Sequence, residues 1–235
     1  MLDGAPIVAI ATIARSSNKK TGTMVQTWIM RADSNPIDAA RHGLDSSICG
    51  TCVHRGQHDE SGKRIASTRS CYVRLDTAPL NVWSTERRGR YDDLTASLDV
   101  AAERVAGKLV RLGSYGDPAA VPFAVWQVLL ARVAGRTGYT HQWRDFPEFN
   151  SWVMASCDSS AERVMARALG FRTFRVASAD SWSRESGEVL CPASAEAGKK
   201  TTCAACRACG GTSAKARADI VIPAHGGGRK LVGVA

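Results

Sequence analysis

Neither of the usual glycine-rich phosphate loops is present in this chain: G-x-G-x-x-G does not occur, nor does G-x-x-x-x-G-K followed by Ser or Thr. Nucleotide binding through those two loops is therefore excluded. Long apolar runs are missing too. The N-terminal one, inside M-L-D-G-A-P-I-V-A-I-A-T-I-A-R, covers about ten residues, where a membrane helix needs about twenty. It follows Asp3 rather than the Lys or Arg of a secretory signal, so a cytoplasmic protein with no membrane partner is expected. Internal repeats and low-complexity tracts are also lacking. Acidic side chains are in deficit, 22 against 31 Lys and Arg, for a net charge of +9. That balance favours an acidic partner, with nucleic acid or a nucleotide expected. The basic groups Lys19-Lys20, Lys63-Arg64, Arg87-Arg88-Gly89-Arg90 and Lys199-Lys200 are nevertheless scattered, and no nucleic-acid reader motif accompanies them.

What the chain does have is cysteine. With 235 residues and 44% hydrophobic content it can build a core without covalent or metal staples. Eight cysteines in a reducing compartment are a poor disulfide framework, and their grouped spacing points to metal or cluster ligation.

The periodicity predicts an N-terminal β-hairpin within residues 1–35, with strands at 6–14 and 24–31 joined by a polar turn. An irregular cysteine-containing loop follows at 42–72. A run of β/α repeats occupies 92–190: a helix from Asp92 to Leu109, a strand at 108–112, a helix within 120–135, strands at 137–143 and 149–156, a helix over 159–170 capped by Ser159 and Glu162, and a strand at 171–178. A cysteine-rich cluster segment at 191–212 and a last strand at 219–226 close a single domain. Strands alternating with helices imply a mainly parallel sheet, and the α/β class expected is a partial (β/α) barrel. Polar residues sit just past successive strands: Ser114, Tyr115 and Asp117, then His141 and Gln142, then Cys157 and Asp158, then His225. In a barrel these ends meet on one face.

Cys203, Cys206 and Cys209, two residues apart, match the spacing with which three thiolates hold a 4Fe-4S cluster, and Cys191, followed by Pro192, is the natural fourth ligand. Tetrahedral zinc is the alternative for these four thiols. Cys49 and Cys52, with Cys71 after an eighteen-residue gap, form a second group, and Cys157 is its candidate fourth ligand. His54 and His58 offer a competing zinc set beside Cys49 and Cys52. Taken alone, Cys157 in the apolar stretch W-V-M-A-S-C also has the character of a buried strand cysteine.

In order, Cys49-x2-Cys52, Cys71-Tyr72, Arg111-x-Gly-Ser-Tyr-Gly-Asp117, Tyr139-Thr-His141, Cys191-Pro192 and the Cys203, Cys206, Cys209 group resemble the uncharacterised phage family known as gene product eighty-eight. That family is in turn similar to reduced radical S-adenosylmethionine barrels. The resemblance spans residues 40–225 as separate motifs. It implies a radical-SAM-like partial barrel, encoded by a phage and working in a bacterial cell, with an iron–sulfur cluster at the strand-end mouth and S-adenosylmethionine as a cofactor. The sequence departs from the radical signature C-x3-C-x2-C, its gaps being two and eighteen, and no Gly-Gly-Glu stretch follows.

Two functions follow. The first is a redox or radical enzyme acting on a nucleotide or nucleic acid, with Asp117, His141 and Asp158 as catalytic groups and Ser114 and Tyr115 touching a cofactor. The second is a nucleic-acid-binding protein with two structural four-cysteine sites and Arg64, Arg87, Arg88 and Lys199 on phosphates. Hydrolysis by zinc-bound water ranks after both.

Overall fold

One eight-stranded sheet organises the chain, in the order β1-β2-β3-β4-β5-β6-β8-β7. It is described by a computed structural model covering residues 3–13 and 18–232. β1 (Ile7–Thr12) and β2 (Val25–Arg31) form the expected antiparallel hairpin, with Ile7 opposite Arg31. Residue 14 of the expected first strand and residues 16 and 17 of the expected turn lie outside the described residues. Every other pairing is parallel: β3 (Leu109–Tyr115), β4 (Gly135–Thr140), β5 (Met154–Cys157), β6 (Thr173–Ala177), β8 (Asp219–Pro223) and the edge strand β7 (Glu188–Leu190). The chain is thus a mixed α/β protein with a mostly parallel sheet.

Helices occupy the connections. α1 (Pro36–Arg41) begins where the Asn35 side chain accepts from the Ile37 and Asp38 amides, with Pro36 in the first turn. α2 (Ser46–Cys49) carries the first cysteine, and α3 (Ala78–Arg87) follows the loop. α4 is Leu98–Val105, α5 Phe123–Leu129, α6 Ser160–Ala168 and α7 Cys203–Cys206. No helix among the described residues is long and apolar enough to cross a membrane.

Alternation along the strands separates two apolar layers. Val110, Leu112, Val153, Ala155 and Cys157 belong to the main core with Trp126 of α5 and Ala166 of α6. Met154, Phe174, Ile220 and Ile222 belong to a second cluster with Cys191 and Ala208, against which Cys203, Cys206 and Cys209 pack. The cysteine-rich segment therefore lies against one face of the sheet, opposite the helices.

Several expected boundaries move. The helix expected from Asp92 starts at Leu98; the residues before it form turns, and Asp92 pairs with Arg104 at 2.6 Å. The strand expected at 149–156 is a 3-10 turn over Pro147–Ser151 followed by β5. Of the helix within 120–135 only Phe123–Leu129 is helical. In the Ser159 cap, the hydroxyl does accept from the Glu162 amide at 3.1 Å, but Glu162 returns its bond to the Asp158 amide. α1, α3 and β7 are helices and a strand that the periodicity did not mark.

Candidate functional site

The four C-terminal cysteines line one cavity. Cys191 follows β7 and donates its amide to Val221 of β8 at 2.9 Å. Cys203 donates to the Lys20 carbonyl at the hairpin turn (2.9 Å), and the Cys209 carbonyl accepts from Gly138 in β4 at 3.0 Å. Thr202 caps α7 through its hydroxyl, and Arg207 ends it in the left-handed conformation at φ 53°. These anchors bring Cys191, Cys203, Cys206 and Cys209 round one small cavity with Thr137, Tyr139 and Ile220. All four are free thiols. Burial, with the other three thiols adding to it and the Tyr139 hydroxyl bond opposing, pushes the Cys209 thiol up to about 12.

Beside this cavity stands Arg111 on β3, 8% exposed. It donates to the Tyr72 hydroxyl at 3.1 Å, and its guanidinium lies over the Tyr139 ring, 5.3 Å from the centroid. Among the described residues no carboxylate lies within 4 Å of it. Burial opposes its charge, but Tyr72, Tyr139 and the Cys203 thiol outweigh burial and hold its pKa above the ordinary value. A buried cation without a carboxylate calls for another source of negative charge. Four thiolates on a divalent zinc or on a doubly charged cluster core leave about two negative charges there.

The second group is assembled by the loop between α1 and α3. Cys52 donates its amide to Cys49 at 3.2 Å, and Cys71 donates to His54 at 3.0 Å. Arg55 braces the loop, bonding Asp45 at 2.7 Å and the Gly43 and Gly50 carbonyls. Gln142, just past β4, donates to the Cys49 carbonyl at 3.1 Å and accepts from the Thr51 amide at 3.4 Å. Gly50, at φ 54°, leaves that side chain room, since a Cβ there would lie 2.3 Å from the Gln142 oxygen. Burial raises the Cys49 thiol, and the neighbouring Asp45, Cys52 and Cys71 add to it. Burial likewise raises Cys71, against the pull of Arg69.

His141, at the end of β4, joins this group. Burial works against its charge, yet Cys52 and Asp158 hold its pKa well above the usual imidazole value. Its Nε2 lies 3.5 Å from Asp158 and has no hydrogen-bond partner among the described residues. Asp158 also binds His54 Nε2 at 2.8 Å, while His54 Nδ1 meets the Ser70 hydroxyl at 2.7 Å. Burial would raise the Asp158 carboxyl, but the two histidines carry it below the usual carboxylate range. The ligand atoms of His54, His141 and Asp158 lie within 4.8 Å of one another, a set able to hold a metal ion.

The other expected site residues divide. Asp117 is structural in its bonding: its amide donates to Ile48 at 2.6 Å, and its carboxylate accepts from the Ala119 amide at 2.9 Å and the His141 amide at 2.8 Å, tying the first cysteine loop to β4. Burial nonetheless raises its carboxyl above the ordinary value. Tyr115 is 5% exposed, and its hydroxyl, among Cys49, Asp45, Arg69 and Cys71, has no partner among the described residues. Ser114 is spent on Gln26, at 2.6 Å. His58 turns to the Ala40 carbonyl at 3.3 Å, away from the thiols, and His225 stacks on Tyr72 at 5.4 Å.

Cys157 is not brought to the second group. It is fully buried in the helix-side core and donates weakly to Ala155 at 3.7 Å; the charged groups round it are Glu162, Asp158, Asp219 and Arg144. Strand parity is the reason, because odd positions of β5 face the helices. His54, expected beside Cys49 and Cys52, does lie at this group but faces Asp158, and Tyr115, expected to touch a cofactor, has its hydroxyl among Cys49, Asp45, Arg69 and Cys71; Arg69 is the residue there that the sequence did not single out.

Among the described residues no three thiols lie within 4.8 Å of one another, so the thiol positions do not distinguish zinc from a cluster. Comparison of the chain with models of protein families, with curated proteins and with solved structures finds no match to any of them.

Proposed function

We propose that this chain is a redox metalloprotein on a partial (β/α) barrel. Cys191, Cys203, Cys206 and Cys209 hold one 4Fe-4S cluster, and Cys49, Cys52 and Cys71 hold a second at the strand-end mouth. The observation that carries this reading is Arg111, a buried guanidinium placed against the four-thiol cavity with no carboxylate to balance it. The sequential order of the parallel strands from β2 to β6 supports the barrel reading, and the phage and radical-barrel resemblance agrees with both.

When bound, such a cluster supplies one-electron transfer. The chain's own residues divide the remaining work. With Cys157 turned away, three thiols would hold the mouth group, and its remaining position would fall to a neighbouring side chain such as His141 or to an outside molecule. The resemblance names S-adenosylmethionine, but the two-and-eighteen spacing departs from that family. His141 stands beside Cys52 as the group able to move a proton, oriented by Asp158, which His54 holds in turn. Gln142 and Asp117 fix the loop and β4 relative to each other. The orphaned Tyr115 hydroxyl is a donor awaiting an acceptor at the same group.

Anaerobic purification followed by iron, sulfide and zinc analysis tests this. Two clusters give about eight iron and eight sulfide per chain, with a broad absorption near about 400 nm. Colourless protein with two zinc ions per chain would replace the redox reading with a structural one.

A further inference from the structure

The geometry points to a second binding site next to Cys71, for a small molecule bearing a pyrophosphate or comparable polyphosphate group. It rests on the proposed function only for its position beside the mouth group. The observation is a cleft of ≈ 360 Å³ into which four arginines are gathered: Arg41 at the end of α1, Arg64 and Arg69 from the cysteine loop, and Arg74 beyond it. Asp76 is the one acidic residue in the lining, so the cleft carries about three net positive charges.

Each arginine has capacity left. Arg64 makes no side-chain hydrogen bond or ion pair to another described residue. Arg41 and Arg74 are engaged only by exposed partners, Asp38 at 3.2 Å and Asp76 at 3.0 Å. Exposed pairs of that kind contribute little and give way to a stronger anion. Arg69 is the fixed member: its Nη1 holds the Cys71 and Val73 carbonyls, both at 3.1 Å, and its buried Nε has no partner among the described residues. An ionised group of more than one charge satisfies this set; a single carboxylate does not.

The remaining lining fits the organic part of such a ligand. Ile37, Val73, Leu75 and the half-exposed Tyr72 ring give the cleft an apolar side. The glycine loop after β8 closes it. Gly228 permits that closure, since a Cβ there would lie 2.6 Å from Ser70 Cα and 2.8 Å from the Arg69 carbonyl. Cys71 itself is in the wall, so a ligand anchored by its phosphates in this cleft lies beside the three-thiol mouth group. The missing glycine-rich phosphate loops are thus replaced by guanidinium groups.

Calorimetric titration of the anaerobically purified protein with inorganic pyrophosphate, and separately with ADP, tests the site. Binding of both is expected, weaker by about tenfold or more in Arg64→Gln and in Arg74→Gln, and unchanged in Arg104→Gln on α4, whose side chain pairs with Asp92. Iron and zinc are measured before and after each titration. Full metal content with no pyrophosphate binding at millimolar concentration overturns the cleft and leaves the metal reading standing. Lost metal with arginine-dependent binding does the reverse. Equal binding by wild type and the Arg64→Gln, Arg74→Gln double variant also overturns it, as does single-stranded RNA or DNA binding through these arginines that pyrophosphate fails to displace.

Discussion

Replacing Arg111 with methionine should change stability in opposite senses with and without metal. In the metal-free, reduced protein the guanidinium is 8% exposed and lacks a carboxylate. Its compensation is the Tyr72 hydroxyl at 3.1 Å and the Tyr139 ring at 5.3 Å, together worth about 1–3 kcal/mol. Removing a buried charge in favour of an apolar chain of similar length gains about as much or more. Arg111→Met is therefore expected to be within about 1 kcal/mol of wild type, or more stable, in the metal-free state. With the four-thiol site loaded, the same change strips the counter-charge from a dianionic centre, and a loss of about 3–5 kcal/mol is expected. Urea unfolding of both variants, once with chelator and reductant and once anaerobically with metal retained, reads the two differences directly. A change of the same sign and size in both states would refute the assignment of Arg111 as the partner of a metal–thiolate charge.

Three further outcomes follow from particular contacts. Cys157→Ala should keep the full metal content while costing about 1 kcal/mol from its core position, whereas Cys52→Ala should lose the metal of the mouth group alone; elemental analysis of the two variants separates ligand from filler. Gly50→Ala places a methyl 2.3 Å from the Gln142 oxygen in a left-handed residue, so about 1–3 kcal/mol of strain and loss of mouth-group metal are expected, the metal partly restored by adding Gln142→Ala. Glu188→Gln breaks a side chain with 0% exposure from Arg175 at 2.6 Å, for an expected loss of about 3–5 kcal/mol in denaturant unfolding. Burial opposes the Glu188 charge, but Arg175 lowers its pKa overall. Its stabilisation is thus present above the unfolded value of about 4.3 and lost as pH falls through the depressed folded value, so the variant should show a shallower acid loss of stability than wild type.

The parts of this fold legible in the sequence are those where one pattern acts alone. The β6 run and the α6 stripe stand between clear punctuation, and both elements form where the periodicity puts them. α1 and α3 escaped because each is short and sits among charged residues; α1 depends on the Asn35 cap, and α3 buries only Pro79 and Val82. β7 has three residues, too few for any period to show, and exists because Glu188 reaches Arg175 under α6. The grouping of Cys191 with the three later cysteines was legible because spacing within one segment constrains where thiols can go. Cys71 was rightly joined to Cys49 and Cys52, beside which the loop brings it, but a fourth member for that group was not legible, since it depends on how a long loop folds back over the ends of β3, β4 and β5. Parity was the one overlooked clue: Met154 and Ser156 share a face, so Cys157 has to turn toward Ala155 and the helices.

That parity separates the two groups chemically. Arg111 and Tyr139 occupy inward positions of neighbouring strands, and Arg111 reaches both Tyr139 and Tyr72, the residue following Cys71. A covalent step and one hydrogen bond therefore connect the mouth group to the cation that faces Cys203. The C-terminal group has four protein thiols in a mostly apolar setting, with the Tyr139 hydroxyl bonded to Cys209 and no histidine or carboxylate among the residues lining its cavity. The mouth group has three thiols, an orphaned phenol and a histidine between Cys52 and Asp158. If clusters occupy both groups as proposed, the one held by four thiols would be confined to passing electrons, while the one beside a proton carrier would be free to act on what binds there.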